Sequence, residues 1–200
     1  MTIRPESALP GSSGQPAYEL RPLELEDVEG YVCCQVECLA QTYVSIMPPE
    51  FAEQHRRAIP DRIAQTRRAW AAWQQESAER RTRAWLATDP SGQVVGIARS
   101  GPGSQQWETD LGAPNSAVDH QLHHVYTLQH THGTGLGQAL LDLAVGERDA
   151  YLWILEGNDR AMRFYERNGF APDGVTIECG PTWFHRPMFR MVRARQPVSG

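Results

Sequence analysis

Leu122-His123-His124-Val125-Tyr126-Thr127-Leu128 followed by Gln129-His130-Thr131-His132-Gly133-Thr134-Gly135-Leu136-Gly137-Gln138-Ala139-Leu140-Leu141 reads as an extended segment, a glycine-rich turn and the start of an amphipathic helix. Three glycines in five residues let the backbone turn tightly and leave its N–H groups uncovered by side chains. Where a helix begins, those N–H groups lack intrahelical partners and the helix dipole adds partial positive charge. Strand, glycine loop and helix in this order form a phosphate cradle. Two common cradles are excluded. A P-loop needs Lys and Ser or Thr after its last glycine, and here Gln138-Ala139 follow Gly137. A dinucleotide loop needs a third glycine where this chain has Gln138, and too little chain remains for a doubly wound sheet, although Glu156 stands at a tolerable spacing for a ribose contact.

The loop His132-Gly133-Thr134-Gly135-Leu136-Gly137 resembles the R/Q-x-x-G-x-G/A pyrophosphate loop of the GNAT superfamily of acyl-CoA N-acyltransferases. Downstream, Asn158, Ala161, Phe164-Tyr165 and Gly169-Phe170 resemble that family's second motif, N-x-x-A-x-x-F-Y-x-x-x-G-F. The resemblance spans about Leu122 to Val192 and is traceable back to about Tyr18. It implies acetyl-CoA as cosubstrate, with no metal. It also implies cofactor contacts from the strand backbone at Tyr126, Thr127 and Leu128, from His132, Gly133, Thr134, Gly135, Leu136, Gly137 and Gln138, and from Asn158. The family has Arg or Gln where this chain has His132. An imidazole is shorter and largely neutral near pH 7, so a weaker side-chain grip on pyrophosphate is expected.

Composition allows a single domain with a sizeable core in 200 residues. A net charge of −5 gives no reason to expect nucleic acid or a membrane surface as partner, and is compatible with a cationic amine. No run of about 20 apolar residues occurs and the N-terminus lacks a signal-peptide pattern, so a cytoplasmic protein is expected. Cys33, Cys34 and Cys38 fall in one helical stretch and Cys179 in a distant strand, at spacings that suit buried thiols better than zinc. His120, His123, His124, His130 and His132 straddle strand and loop, which argues against a metal site.

Residues 1–17 read as a mobile tail, 18–193 as one domain, and 194–200 as a second tail. Tyr18 to Pro22 alternates as a strand, and a helix from Leu25 to about Tyr43 carries Val28, Val32, Val36 and Leu39 on one face. Helix resumes from Glu50 to about Arg80. Pro60 divides or kinks it, and Ile59, Ile63, Trp70 and Trp73 form a core-facing stripe. Strands follow at Arg83–Thr88 and Val94–Arg99 around an Asp89-Pro90-Ser91-Gly92 turn. Residues 101–120 show no regular pattern, as binding loops and lids often do, with Trp107 inside. The rest comprises strands at Leu122–Leu128, Ala150–Leu155, Val175–Cys179 and Phe184–Val192, and helices from Leu136 and Asp159. The order β, α, α, then β β β α β α β β predicts an α/β (α+β) domain with a mixed, mostly antiparallel sheet of about six to seven strands flanked by helices. The resemblance adds that its fourth and fifth strands splay apart around the cofactor.

Acyl transfer from a thioester to an amine needs the two held together, a neutral amine, stabilisation of charge on the thioester oxygen, and a proton for the departing thiolate. Tyr165 matches the family's proton donor. Asn158 matches the residue that contacts the cofactor arm, and also suits an N-cap. The strand position that carries a carboxylate base in some members falls at Gln121 or Leu122. If Leu122 is the match, strand alternation puts His124 on the same face as the base. If Gln121 is, His123 takes that place. His120, Glu108 and Asp119 are further candidates. The expected reaction is acetyl transfer to a primary amine of a small molecule by direct attack in a ternary complex. A protein N-terminus or lysine is an alternative acceptor, and a non-catalytic acyl-CoA sensor is the alternative from another class. A homodimer is an open expectation.

Overall fold

The computed structural model describes residues 7–8, 18–77 and 81–194. Most of the two expected tails, and the last three residues of the long expected helix, lie outside the described residues. The chain runs β1 (Ser7–Ala8), β2 (Glu19–Pro22), a 3-10 turn at Leu25–Asp27, α1 (Val28–Tyr43), α2 (Glu50–Arg57), α3 (Ile59–Trp73), β3 (Arg83–Thr88) and β4 (Val94–Pro102). It continues with α4 (Gln106–Asp110), β5 (His120–Thr127), α5 (Leu136–Ala144), β6 (Ala150–Leu155), α6 (Asp159–Arg167), β7 (Ala171–Glu178) and β8 (Pro187–Arg193). The strands form one eight-stranded sheet in the order β1-β2-β3-β4-β5-β6-β8-β7. Every neighbouring pair is antiparallel except β5 and β6, which are parallel.

Helix periodicity decides the packing on both faces. Val28, Val32, Val36 and Leu39 of α1 are buried as their spacing requires. On the other face, Leu136, Leu140, Leu141 and Ala144 of α5 are buried. The backbone of β4 comes so close to α5 that a Cβ on Gly96 would lie 2.9 Å from Leu140 Cδ1 and 3.2 Å from Leu136 Cδ2. Strand β6 is apolar on both faces, as a strand covered on both sides must be. Pro60 does divide the second helical region: α2 ends at Arg57, and α3 starts with the proline in its first turn. Trp70 and Trp73 pack against the core, and Trp70 Nε1 donates to Leu23 O at 3.1 Å.

Several features differ from the sequence reading. The short β1 pairs with β2 inside the stretch read as a tail, and β7 starts at Ala171 where Val175 was expected. Helix α3 stops at Trp73, so the stretch expected to continue to about Arg80 does not. The 101–120 stretch contains the end of β4 and the short α4, too brief to leave a periodic signal. The strand expected to start at Phe184 starts at Pro187, because Phe184 and His185 take φ of 53° and 54°, which no strand accommodates. Cys33 is exposed, whereas Cys34, Cys38 and Cys179 are buried.

Histidine enters the core as a neutral group. His55 packs edge-on to Phe51 and accepts from Arg62 through Nδ1. Burial and that guanidinium push its pKa down to about 4. Burial, with Arg148 and Arg83 nearby, takes His120 down to about 4 as well. The unfolded chain protonates near the ordinary 6.5, so from there down to about 4 the unfolded state binds more protons. Stability is therefore held above 6.5 and lost as pH falls through that window. A urea midpoint lower at pH 5 than at pH 7.5 is expected, and equal midpoints would mean these rings are protonated in the fold. Gly96→Ala should overpack the β4–α5 contact and cost about 1–3 kcal/mol in the same denaturation experiment.

Candidate active site

Strands β5 and β6 share a single register pair, Gln121 with Tyr151, and then diverge. Their separation leaves part of β5 without a neighbour in the middle of the sheet. Leu128 N–H donates to Val95 O at 2.9 Å, on the β4 side. Backbone groups alternate along an antiparallel pair, so Tyr126 also turns to β4 while Val125 and Thr127 turn to the open edge. Of the three strand residues expected to offer backbone contacts, Thr127 turns its amide and carbonyl to the gap, whereas Tyr126 and Leu128 turn theirs to β4; Val125 faces the gap like Thr127.

A cleft of about 350 Å³ occupies this gap, lined by β5, the glycine loop, the first turn of α5, one side of α6 along its length, part of β6, and Thr42 and Tyr43. Gly133 and Gly135 have φ of 83° and 85°, a left-handed conformation that favours glycine, and a Cβ at either would meet nothing within 4 Å. The cradle is therefore bare backbone facing open space. The first helical hydrogen bond of α5 runs from Ala139 N to Gly135 O at 3.1 Å, so the amides of Gly137 and Gln138 have no intrahelical acceptor. Leu136 lies in the same turn with its side chain in the core and its N–H 3.4 Å from Thr134 Oγ1. Thr134 Oγ1 itself donates to Thr131 O, which braces the loop. The side chain of Gln138 is engaged with Asp142 and Asn168, leaving its backbone as the part available. These features fit the pyrophosphate of a CoA thioester.

His132 closes the loop. Its Nε2 lies 3.2 Å from Thr127 O and 3.1 Å from Arg160 Nη1, an acceptor and a donor that one ring nitrogen serves one at a time. Partial burial and the adjacent guanidinium lower its pKa, so the ring is neutral at pH 7.

At the other end of the cleft stands a group of phenols and imidazole. Tyr165 is buried, and the backbone N–H of Val125 donates to its hydroxyl oxygen. Burial, reinforced by Tyr43, raises its pKa well above the ordinary tyrosine range. Asn158 caps α6 by accepting from Ala161 N at 3.2 Å, and its amide hydrogen-bonds the Tyr43 hydroxyl, as does Tyr126. Tyr43 was not legible in advance: it ends α1, more than a hundred residues from its partner Asn158.

His124 lines the same cleft, stacked on Tyr126 at 5.4 Å between ring centroids, with Nε2 2.7 Å from the Tyr31 hydroxyl. Burial, then Arg99 and His123, holds its pKa well below 6.5. Simple alternation does not place it, because His123 is an extra residue between the pairs Arg99–His124 and Ser100–Leu122. Of the weaker base candidates, Glu108 is buried and accepts from the Tyr151 hydroxyl at 3.0 and 3.1 Å, outside the cleft lining. Trp107, expected in a packed or binding loop, meets Trp153 edge to face at 6.1 Å. Among the described residues no group of three or more His, Cys, Asp and Glu side chains is placed to hold a metal.

Residues 80–172 match the Acetyltransferase (GNAT) domain family. Over 100 residues the chain is 30% identical to a Mycobacterium tuberculosis protein named probable N-acetyltransferase Rv2775, covering 48% of this chain and 51% of that one. The chain thus spans about half the length of the curated relative it matches. PaiA N-acetyltransferase from Thermoplasma acidophilum, solved in complex with coenzyme A, is similar in fold at a TM-score of 0.63, with 18% identity over 89% of this chain and 99% of that one. A variant of spermidine N-acetyltransferase SpeG from Vibrio cholerae aligns at a TM-score of 0.51, with 16% identity over 86% and 92% of the two chains. With the splayed strands and both motifs in place, residues 80–172 are similar to the Acetyltransferase (GNAT) domain, and the whole described fold is similar to that of solved N-acetyltransferases.

Proposed function

We propose that this protein transfers the acetyl group of acetyl-CoA to a primary amine of a small molecule, by direct attack in a ternary complex. The observation that carries this reading is one cleft containing a bare glycine cradle, an open strand edge and a buried phenol. When bound, acetyl-CoA supplies an activated acetyl thioester. Backbone amides of Gly137 and Gln138 would hold its pyrophosphate, and the open-edge groups of Thr127, together with Asn158, its pantetheine arm. Tyr165 lines the cleft and brings a single O–H that would donate there. The raised pKa keeps the phenol protonated at neutral pH, so that its proton stands ready where charge develops on a departing sulfur. His124 is neutral and stands on the cleft wall, placed to take a proton from the amine.

The cleft lining also bears on the acceptor. It includes Tyr43, Tyr126, Trp153 and His124, and no Asp or Glu among the described residues. A polyamine would bring several charges without a counter-charge, so this lining supports an amine with an uncharged, apolar or aromatic body. The mild expectation of a cationic substrate from net charge finds no support at the site itself. The sensor alternative retains one favouring observation, the engagement of the His124 Nε2 atom by Tyr31. Release of free CoA from acetyl-CoA in the presence of an amine panel, followed with a thiol reagent, decides between them.

Acetyl-CoA at a hundred times its dissociation constant should stabilise the fold by about 2.7 kcal/mol, seen as a raised Tm, and NADH should not. The opposite pattern would remove the glycine-loop assignment. Tyr165→Phe keeps the ring and should keep acetyl-CoA affinity while lowering kcat by about 10²-fold. Full activity in this variant, measured from pH 6 to 10, would make Tyr165 a packing residue.

A further inference from the structure

We propose that Arg160 supplies the cationic contact to the cofactor's pyrophosphate and that His132 positions it, the two dividing a role that one Arg or Gln fills in the family that the loop resembles. This inference rests on the acyl-CoA reading above. Its first support is placement: Arg160 lines the same cleft as Gly133, Gly135 and Gly137, across from the loop, on the first turn of α6. A second comes from the 3.1 Å contact between Arg160 Nη1 and His132 Nε2. A neutral imidazole accepts from a guanidinium, whereas an arginine at 132 would repel it. The partial burial that lowers the pKa of His132 preserves this neutral state.

A third support is the absence of any other use for the charge. Among the described residues Arg160 forms no ion pair with a carboxylate, and its only hydrogen-bonded side chain is His132. A guanidinium carries five donors, and one contact to an imidazole leaves most of them free. A cation in the first turn of a helix also sits against the helix dipole, which stabilises anions there instead. A phosphate beside the guanidinium would accept two parallel N–H bonds and remove that mismatch. His132 can then take the Nε2-protonated tautomer and donate to Thr127 O, its other neighbour at 3.2 Å.

Titration calorimetry with CoA, dephospho-CoA and pantetheine tests this on the wild type, Arg160→Gln, His132→Ala, and Arg160→Gln combined with His132→Arg. Arg160→Gln should weaken CoA and dephospho-CoA about tenfold or more, the scale of a charge-assisted contact, and leave pantetheine unchanged. His132→Ala should weaken CoA by a smaller factor, and the double variant should recover most of the loss. Equal weakening of pantetheine would make Arg160 a structural residue. A loss confined to CoA and absent with dephospho-CoA would move the contact to the 3′-phosphate. Unchanged CoA affinity in Arg160→Gln, with a wild type that binds CoA, would overturn the proposal alone. A wild type that binds none of the three would overturn the acyl-CoA reading itself.

Discussion

The site depends on a sheet that fails to close. Strands β5 and β6 pair at one position and then separate, which strands backbone N–H and C=O groups in the interior of the domain. Buried backbone polar groups without partners are costly, so the surrounding side chains are committed to meeting them. Val125 N–H is met by the Tyr165 hydroxyl, and Thr127 O has His132 Nε2 at 3.2 Å, a nitrogen it shares with Arg160. The gap therefore organises α6 and the glycine loop around itself. A ligand with amides and phosphates can replace these contacts because it offers the same hydrogen-bonding chemistry.

This explains which parts were legible in the sequence. The glycine loop, the Asn158 cap and the helical stripes of α1 and α5 are local features, fixed by backbone freedom, capping and the 3.6-residue period. Each stands where the spacing placed it. What escaped is set by approach through space. Tyr31 and Tyr43 look like ordinary core aromatics of α1, and only the fold brings them to His124 and Asn158. The bulge at His123 leaves no residue signature, yet it upsets the alternation by which His124 was placed. The direction of the Leu128 backbone was hidden for a similar reason, since backbone parity depends on the register with β4.

The late start of β8 follows from a tertiary preference overriding a local one. Trp183, Phe184 and His185 look like strand residues, being aromatic and alternating. In the fold, Trp183 packs on Tyr43, Phe51 and His55, with Phe51 also meeting Phe184. Joining that cluster takes the chain out of the sheet, and two successive residues with positive φ make the turn. The aromatic cluster also backs Tyr43, so packing far from the sheet edge steadies a phenol inside the cleft.

Electrostatics divides the cleft into two ends. Arg160 and Arg167 line the glycine-loop end, where a diphosphate would bring negative charge. At the splay, burial keeps Tyr43, Tyr126 and Tyr165 protonated and His124 neutral, so no fixed charge faces the gap there. The same burial weakens His124 as a base, which at first sight counts against catalysis. It acts equally on an incoming amine, however, because a desolvated ammonium loses its proton more readily. Lowering the pKa of base and amine together preserves the direction of proton transfer between them. On the proposed acyl-transfer reading, a dry, uncharged splay would present a neutral amine without a strong base, while Tyr165, pushed the other way by that burial, would stay protonated beside a departing sulfur.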